Sequence, residues 1–391
     1  MYILEEPVKS RKILCLIMCF ALLLISAEPI DAVAGEIIIS EGAFDYRVTD
    51  AGAEVIKFYN SGSSRVEVPS QVQEYAVVAI GNEVFRNLNG ITEIVLPEGI
   101  LSIGDRAFYA CSDLKTIELP ISLKTIGEMA FCNCYALAAL TIPKNVEAIG
   151  MSAFLNCTAM TDLQVNAENP HYKAVENVLF SGDMTVLLAY LNTKPDTAYT
   201  IPEQVQSIGE KAFLEVTDLQ EVRFSSNLHK IDKYAFSGCT ALKKIEIPDN
   251  VEIIGTFAFN NCSSLTSVTL GAGVTAIPMY AFSNCSHLST VTFSENLQTI
   301  GSKAFTKCGT IAQICIPDSV QQIAADAFSD TAVTRCGFII LPKKKNMPFI
   351  LRKVKLFAFV MASILTCRMI RSIVQCVIMR WIGACRRCCL L

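Results

Sequence analysis

Ile103–Pro120 reads IGDRAFYACSDLKTIELP, and Ile126–Pro143 reads IGEMAFCNCYALAALTIP. The two stretches start 23 residues apart and share Ile, Gly, Ala, Phe, Cys, Leu and Pro at matched places. The phase extends outward in both directions. Phe recurs at 85, 108, 131 and 154, and again at 213, 236, 259, 282, 305 and 328. Every step is 23 residues except one of 59. Ile stands five before each of these Phe residues, Ala precedes nine of the ten, and Cys follows three later in seven. Such a fixed period is the mark of stacked repeats. Tyr190 lies 23 before Phe213, so one degenerate unit sits within the long step beside an insertion.

Each unit reads L-x-x-I-x-L/I-P-x-x-L/V-x-x-I-G-x-x-A-F-x-x-C-x-x. Ile117 and Leu119 alternate with polar residues, which suits a short strand. Pro120 has no N–H to extend a ladder and closes that strand. Gly127 supplies a corner, and the E-M-A-F segment that follows suits a single helical turn. The spacing therefore predicts an α/β solenoid with one short parallel strand per 23-residue turn. One unit alone cannot bury its apolar face, but stacked units can. With strands about 4.8 Å apart, ten or eleven turns make a rod or arc roughly 50 Å long.

These residues carry a resemblance. The unit resembles the BspA-type leucine-rich repeat of bacterial surface antigens and some protist surface proteins, over residues 67–334. Val66–Phe85 looks like that family's first repeat, and the insertion at about 166–202 resembles its recurrent hairpin interruption. There Val178–Ser181 and Thr185–Tyr190 are expected to pair across Gly182-Asp183. The resemblance implies a right-handed coil, a small β-rich cap over 35–66, and adhesion to host or neighbouring-cell proteins.

The ends differ from the middle. Lys9, Arg11 and Lys12 precede an apolar run, Ile13–Ile25, and Ala32-Val33-Ala34 supplies small residues for cleavage. Residues 1–34 thus read as a secretory signal peptide, placing the protein outside the cell or on its surface. Residues 35–334 hold 18 Lys+Arg against 33 Asp+Glu, and this acidity argues against nucleic acid as a partner. Residues 335–391 hold 12 Lys+Arg and no acid. Three readings fit this tail: membrane contact by a basic amphipathic helix within 343–391, a frameshifted or non-native end, or a soluble partner-binding tail.

No sequence pattern calls for a cofactor or metal. The column Cys reads as a small buried hydrophobe. The repeats hold no CxxC, and Cys385-x-x-Cys388 stands alone in the tail. His171, His229 and His287 belong to no hydrolase, zincin or P-loop motif. Asn156, Asn261 and Asn284 begin N-x-[ST] triplets whose middle residue is the column Cys.

The residues that change from coil to coil are the candidates for function. Between the inward positions of each strand stand Glu93/Val95, Thr116/Glu118, Ala139/Thr141, Asp162/Gln164, Glu221/Arg223, Lys244/Glu246, Ser267/Thr269, Thr290/Thr292 and Gln313/Cys315. Stacked, they are expected to form one continuous outward face for a protein partner. His171, Tyr172 and Tyr190 of the insertion form a second candidate site. A spacer role without a partner, and an enzyme built near the insertion, are the alternative functions.

Overall fold

The structure, a computed structural model, describes residues 37–60, 62–191, 197–311 and 314–331, and the backbone of Phe338–Ile340. The segment 1–34 and nearly all of the 335–391 tail, including Cys385-x-x-Cys388, lie outside the described residues.

Each coil contributes two strands rather than the single one expected. The first ladder stacks the I-x-L segments, such as Glu93–Val95, Thr116–Glu118 and Ser267–Thr269. The second stacks two-residue strands that end on the repeat Ile, such as Ser102–Ile103, Thr125–Ile126 and Ala148–Ile149. Both ladders are parallel and keep the repeat register, with Thr125 beside Ser102 and beside Ala148. The result is a β-solenoid of about 11 turns.

The expected helical turn is absent: no helix occurs among the described residues. In the G-D-R-A-F-Y-A-C segment, Arg106 and Ala110 take positive φ, 54° and 55°. Each left-handed residue interrupts an α-helix before its i→i−4 bonds can form. The amides then divide their work. Ala107, Tyr109 and Cys111 donate to carbonyls three residues back, on Gly104, Arg106 and Phe108. Arg106, Phe108 and Ala110 donate instead to Glu128, Ala130 and Cys132 of the next coil, each at 2.8 Å. A helix would keep those donors for itself and leave neighbouring coils unlinked. Gly127 allows this close approach, because a Cβ there would meet the backbone of Gly104 and Asp105 at 2.5 Å.

The repeated Phe forms the spine. Phe85, Phe108 and Phe131 stack at 5.2 and 5.0 Å, and Phe236, Phe259 and Phe282 at 5.2 Å per step. The column thiols lie beside it. Cys134 Sγ donates to the Phe108 carbonyl of the preceding coil at 3.1 Å, and Cys285 Sγ to that of Phe259 at 3.3 Å. All seven column cysteines repeat this bond. The thiol is thus a packing group that also satisfies a buried carbonyl. On the outer side of the turns, Tyr234, Phe257 and Tyr280 make a shorter, half-buried ladder at 4.8 and 4.6 Å.

At the N-terminal end, Ile38–Glu41, Phe44–Thr49 and Gly52–Phe58 form an antiparallel meander that joins Tyr75–Ile80 in parallel. Phe44 and Phe58 close the spine against Phe85, at 6.4 and 5.3 Å. The meander so covers an edge that would otherwise expose apolar rings and unpaired amides.

The insertion adds three antiparallel strands, Tyr172–Val175, Val178–Ser181 and Val186–Tyr190. The last pairs in parallel with Ser207–Ile208, so the second ladder resumes from it. Alternate residues of Val178–Ser181 face different interiors. Leu179 joins the N-terminal core, while Val178 and Phe180 join the C-terminal one. The hairpin is a wedge, and it divides one continuous core into two.

Candidate partner-binding face

The changing positions of the first ladder point outward because side chains alternate along a strand. Ile117, Val222, Ile245 and Val268 go in, and their flanking residues are exposed or half-buried. Thr116 lies beside Glu93, and Thr141 beside Gln164, with Ala139 beside Asp162. After the insertion, Glu221 lies beside Lys244, Lys244 beside Ser267, and Ser267 beside Thr290.

The charged centre of this face is a checkerboard. Arg223 Nε meets Glu221 Oε1 at 2.8 Å within one strand, and Lys244 pairs with Glu246 within the next. The register sets Glu221 against Lys244 across the ladder. Glu221 and Lys244 therefore each have an opposite charge along the strand and across it. These pairs are exposed, so they fix side-chain direction more than they stabilise the fold. An open cleft borders them, lined by Thr197, Gln220, Glu221, Arg223, Lys243, Lys244 and Glu246. Beyond it lies a neutral hydroxyl patch of Ser267, Thr269, Thr290 and Thr292.

The face is not continuous, contrary to the expectation from repeat stacking. The first ladder falls into separate sheets: one ends at Thr116–Glu118, the next holds Ala139–Ile142 and Asp162–Val165, and another runs from Ala198–Thr200 to Thr290–Thr292. The wedge is the cause of the break after Asp162–Val165. Asn177 at its tip occupies the open edge: its Oδ1 accepts the Leu163 N–H at 2.9 Å, and its Nδ2 donates to the Thr161 carbonyl at 2.8 Å. One amide side chain thus imitates the strand that would have followed. Replacing Asn177 by Ala leaves both backbone groups without that partner. It is expected to cost about 2 kcal/mol and to speed hydrogen exchange at the Leu163 amide, measured by mass spectrometry or NMR.

The second candidate site separates into unlike parts. His171 is exposed, with its N–H donated to Asn169 Oδ1 at 2.8 Å. Tyr172 is half-buried, and its hydroxyl accepts the Ile149 N–H at 3.0 Å. Tyr190 is a core residue, 7 % exposed, stacked on Phe213 at 5.0 Å in the place of a repeat Phe. Tyr172 and Tyr190 line one cavity at the seam between the two cores; His171 does not line it. The sequence reading missed this cavity and Asn177. The only signal for either was the irregular 59-residue step. Among the described residues, no group of three His, Cys, Asp or Glu is arranged to hold a metal ion.

The family described as BspA type leucine rich repeat region matches residues 55–184, 189–271 and 206–335. The chain belongs to the BspA-type leucine-rich-repeat family. Like other BspA-type chains, it offers a scaffold of a kind that generally binds proteins. A leucine-rich repeat protein from Eubacterium ventriosum is similar in structure, at 24 % identity over 79 % of this chain and 97 % of that one, with a TM-score of 0.59. The pneumococcal vaccine antigen PcpA is 20 % identical over 78 % of this chain and 99 % of its own, with a TM-score of 0.47. A leucine rich cell surface protein from Faecalibacterium prausnitzii is 25 % identical over 66 % of this chain and 95 % of its own, with a TM-score of 0.34. No curated protein matches this BspA-type sequence.

Proposed function

We propose that this BspA-type chain is an exported, non-catalytic scaffold that binds a protein on a host or neighbouring cell. The outward face of the first ladder, from Glu221 to Thr292, carries the binding. One observation supports this reading most. The backbone and inward residues of the coils repeat, while the outward pairs change from acidic–basic to basic–acidic to hydroxyl along one exposed row. A rigid row of this kind makes many modest contacts in fixed register. The charged residues beside the cleft set which partner is accepted, since charge complementarity governs specificity and encounter more than raw affinity. Export is supported by the basic, apolar and small-residue order of residues 1–34.

The checkerboard also provides the test. The quadruple variant Glu221→Lys, Arg223→Glu, Lys244→Glu and Glu246→Lys reverses every charge and keeps every internal pairing. Its fold, checked by circular dichroism, is expected to be unchanged. Its binding to cells or extracellular matrix is expected to fall at least about tenfold, as several reversed contacts would require. Unchanged binding would favour the second reading, a spacer. The observation behind that reading is that the exposed charges already neutralise one another.

A further inference from the structure

The meander that closes the N-terminal end carries an edge of its own. Ile38–Glu41 is the last strand of its sheet, paired with Phe44–Thr49 on one side and with nothing among the described residues on the other. The pairing shows which backbone groups are left over. Val48 N–H donates to the Ile37 carbonyl at 2.9 Å, so Ile37 and, by alternation, Ile39 and Glu41 spend their bonds inside the sheet. The N–H and C=O of Ile38 and Ser40 point away from it. Edge strands are commonly blunted by lysine, proline or a bulge. This one is short, but its register is regular and it holds no lysine, arginine or proline. Its apolar side chains are open to solvent as well: Ile37 is 54 % exposed and Ile38 46 %.

The charges beside this edge select a second copy of the chain as its partner. On the outer face of the meander, Ile38 lies beside Arg47 and Arg47 beside Glu54, while Ser40 lies beside Asp45 and Asp45 beside Lys57. A two-fold axis at Ile39 sets Ile38 against Ser40 of the second copy. Each row across the joined sheet then reads Glu54, Arg47, Ile38, Ser40, Asp45, Lys57, the last three from the second copy. The signs alternate, and no like charges meet. Sliding the strands so that Ile38 faces Ile38 instead turns the Arg47 residues of the two copies toward each other. The inner face agrees with the first register. Tyr46 and Ile39 of one copy meet Ile39 and Tyr46 of the other, four apolar residues in line.

We propose that Ile38–Glu41 pairs antiparallel with the same strand of a second copy, making a two-fold dimer that joins two solenoids cap to cap. Ile38 and Ser40 of each copy exchange N–H to C=O bonds with Ser40 and Ile38 of the other, four bonds in all. The joined area is small, so the dimer forms reversibly, at about 10–100 µM. This surface is separate from the outward face of the coils and does not rest on the protein-binding reading.

Sedimentation velocity of the purified full chain, from about 1 to 200 µM, is expected to show monomer giving way to dimer. A reductant keeps cysteine cross-links from contributing. Hydrogen exchange locates the contact. The Ile38 and Ser40 amides are expected to slow as the dimer forms, while the Ile39 amide, already paired with Tyr46, stays slow throughout. Ser40→Pro removes an N–H that makes no bond within the sheet. Its fold, checked by circular dichroism, is expected to stand, and association is expected to weaken at least about tenfold, the worth of two backbone bonds. A single unassociated species at every concentration would overturn the proposal. So would association without slower exchange at Ile38 and Ser40, or full association by a folded Ser40→Pro protein. If that variant does not fold, Ile38→Glu decides. It adds a carboxylate at an exposed position, in the row that holds Asp45 of the second copy. Weakened association then supports the dimer, and undiminished association overturns it.

Discussion

Replacing Phe259 by alanine lowers the stability of the protein by about 3–5 kcal/mol, the usual cost of deleting a fully buried aromatic ring. Phe259 has no exposed surface and stacks on Phe236 and Phe282, each at 5.2 Å. Its neighbours cannot close over the gap, because their separation is set by backbone bonds between coils. Phe259 N–H donates to the Ala281 carbonyl at 2.8 Å, and Phe236 N–H to that of Ala258 at 2.7 Å. The cavity therefore persists, and the loss lies toward the top of the range. Phe257, two residues away in the half-buried outer ladder, provides the comparison. Its replacement by alanine is expected to cost about 1–2 kcal/mol. Guanidinium unfolding measures both. In a solenoid each coil supports only its neighbours, so the Phe259 variant is also expected to lower the m-value as the transition splits. Equal losses at the two positions would show that the inner spine is not what holds the coils together.

Raising the pH unfolds the protein steeply between about pH 9 and 11. The thiol column is the reason. Burial pushes Cys111 and Cys157 from 9.0 up to about 12, and it pushes Cys134, Cys239, Cys262 and Cys285 upward as well. The thiols stay neutral in the fold but ionise in the unfolded chain once the pH passes their ordinary value. Above that value the unfolded state binds fewer protons than the native one, so stability falls as pH rises. Each such thiol removes about 1.4 kcal/mol per pH unit in this window. These six together remove about 8 kcal/mol per unit, comparable to the whole stability of an ordinary domain. Below the ordinary thiol value the contribution is fully present. Alkylation mapped by mass spectrometry, with circular dichroism alongside, gives the check. The column cysteines are expected to react only where the native spectrum is lost, whereas the exposed Cys315 reacts at pH 8. Alkylation of Cys262 or Cys285 in a protein that still shows its native spectrum would contradict this account.

Much of the fold could be read from the sequence because a 23-residue period leaves so few choices. The spine, the inward Ile and the packing role of the column Cys all follow from one fixed phase, and a stacked array is the way to bury all three. Two features were less legible. The second ladder has only two residues per coil, such as Thr125–Ile126, too few for alternation to show as a strand. The E-M-A-F segment has good helix formers, so local propensity favoured a helical turn there. A signal against it was present. Asn recurs two places after the repeat Phe, at Asn87, Asn133, Asn156, Asn261 and Asn284, and each of these has positive φ. Asn tolerates that region better than most residues, and its recurrence marks a coil that turns without a helix.

The candidate site was legible only as a list of outward residues. Thr116, Glu118, Glu221 and Arg223 face out because strand alternation demands it. Their pairing across the ladder follows from the repeat offset, whereas the break between Gln164 and Ala198 depends on where the wedge sits. Tyr190 shows the same division. Its distance from Phe213 in the chain placed it in the spine, but only its stacking contact removes it from the list of surface candidates.

By itself, then, the sequence determined the repeat, the inward column and the family, since a period is a property of the chain alone. The tertiary structure alone decided that the insertion enters as a wedge, that Asn177 closes the edge it creates, and that the two cores leave a cavity between them. Those features arise where the period fails. There the contacts join residues with no fixed offset, and only packing in three dimensions selects them.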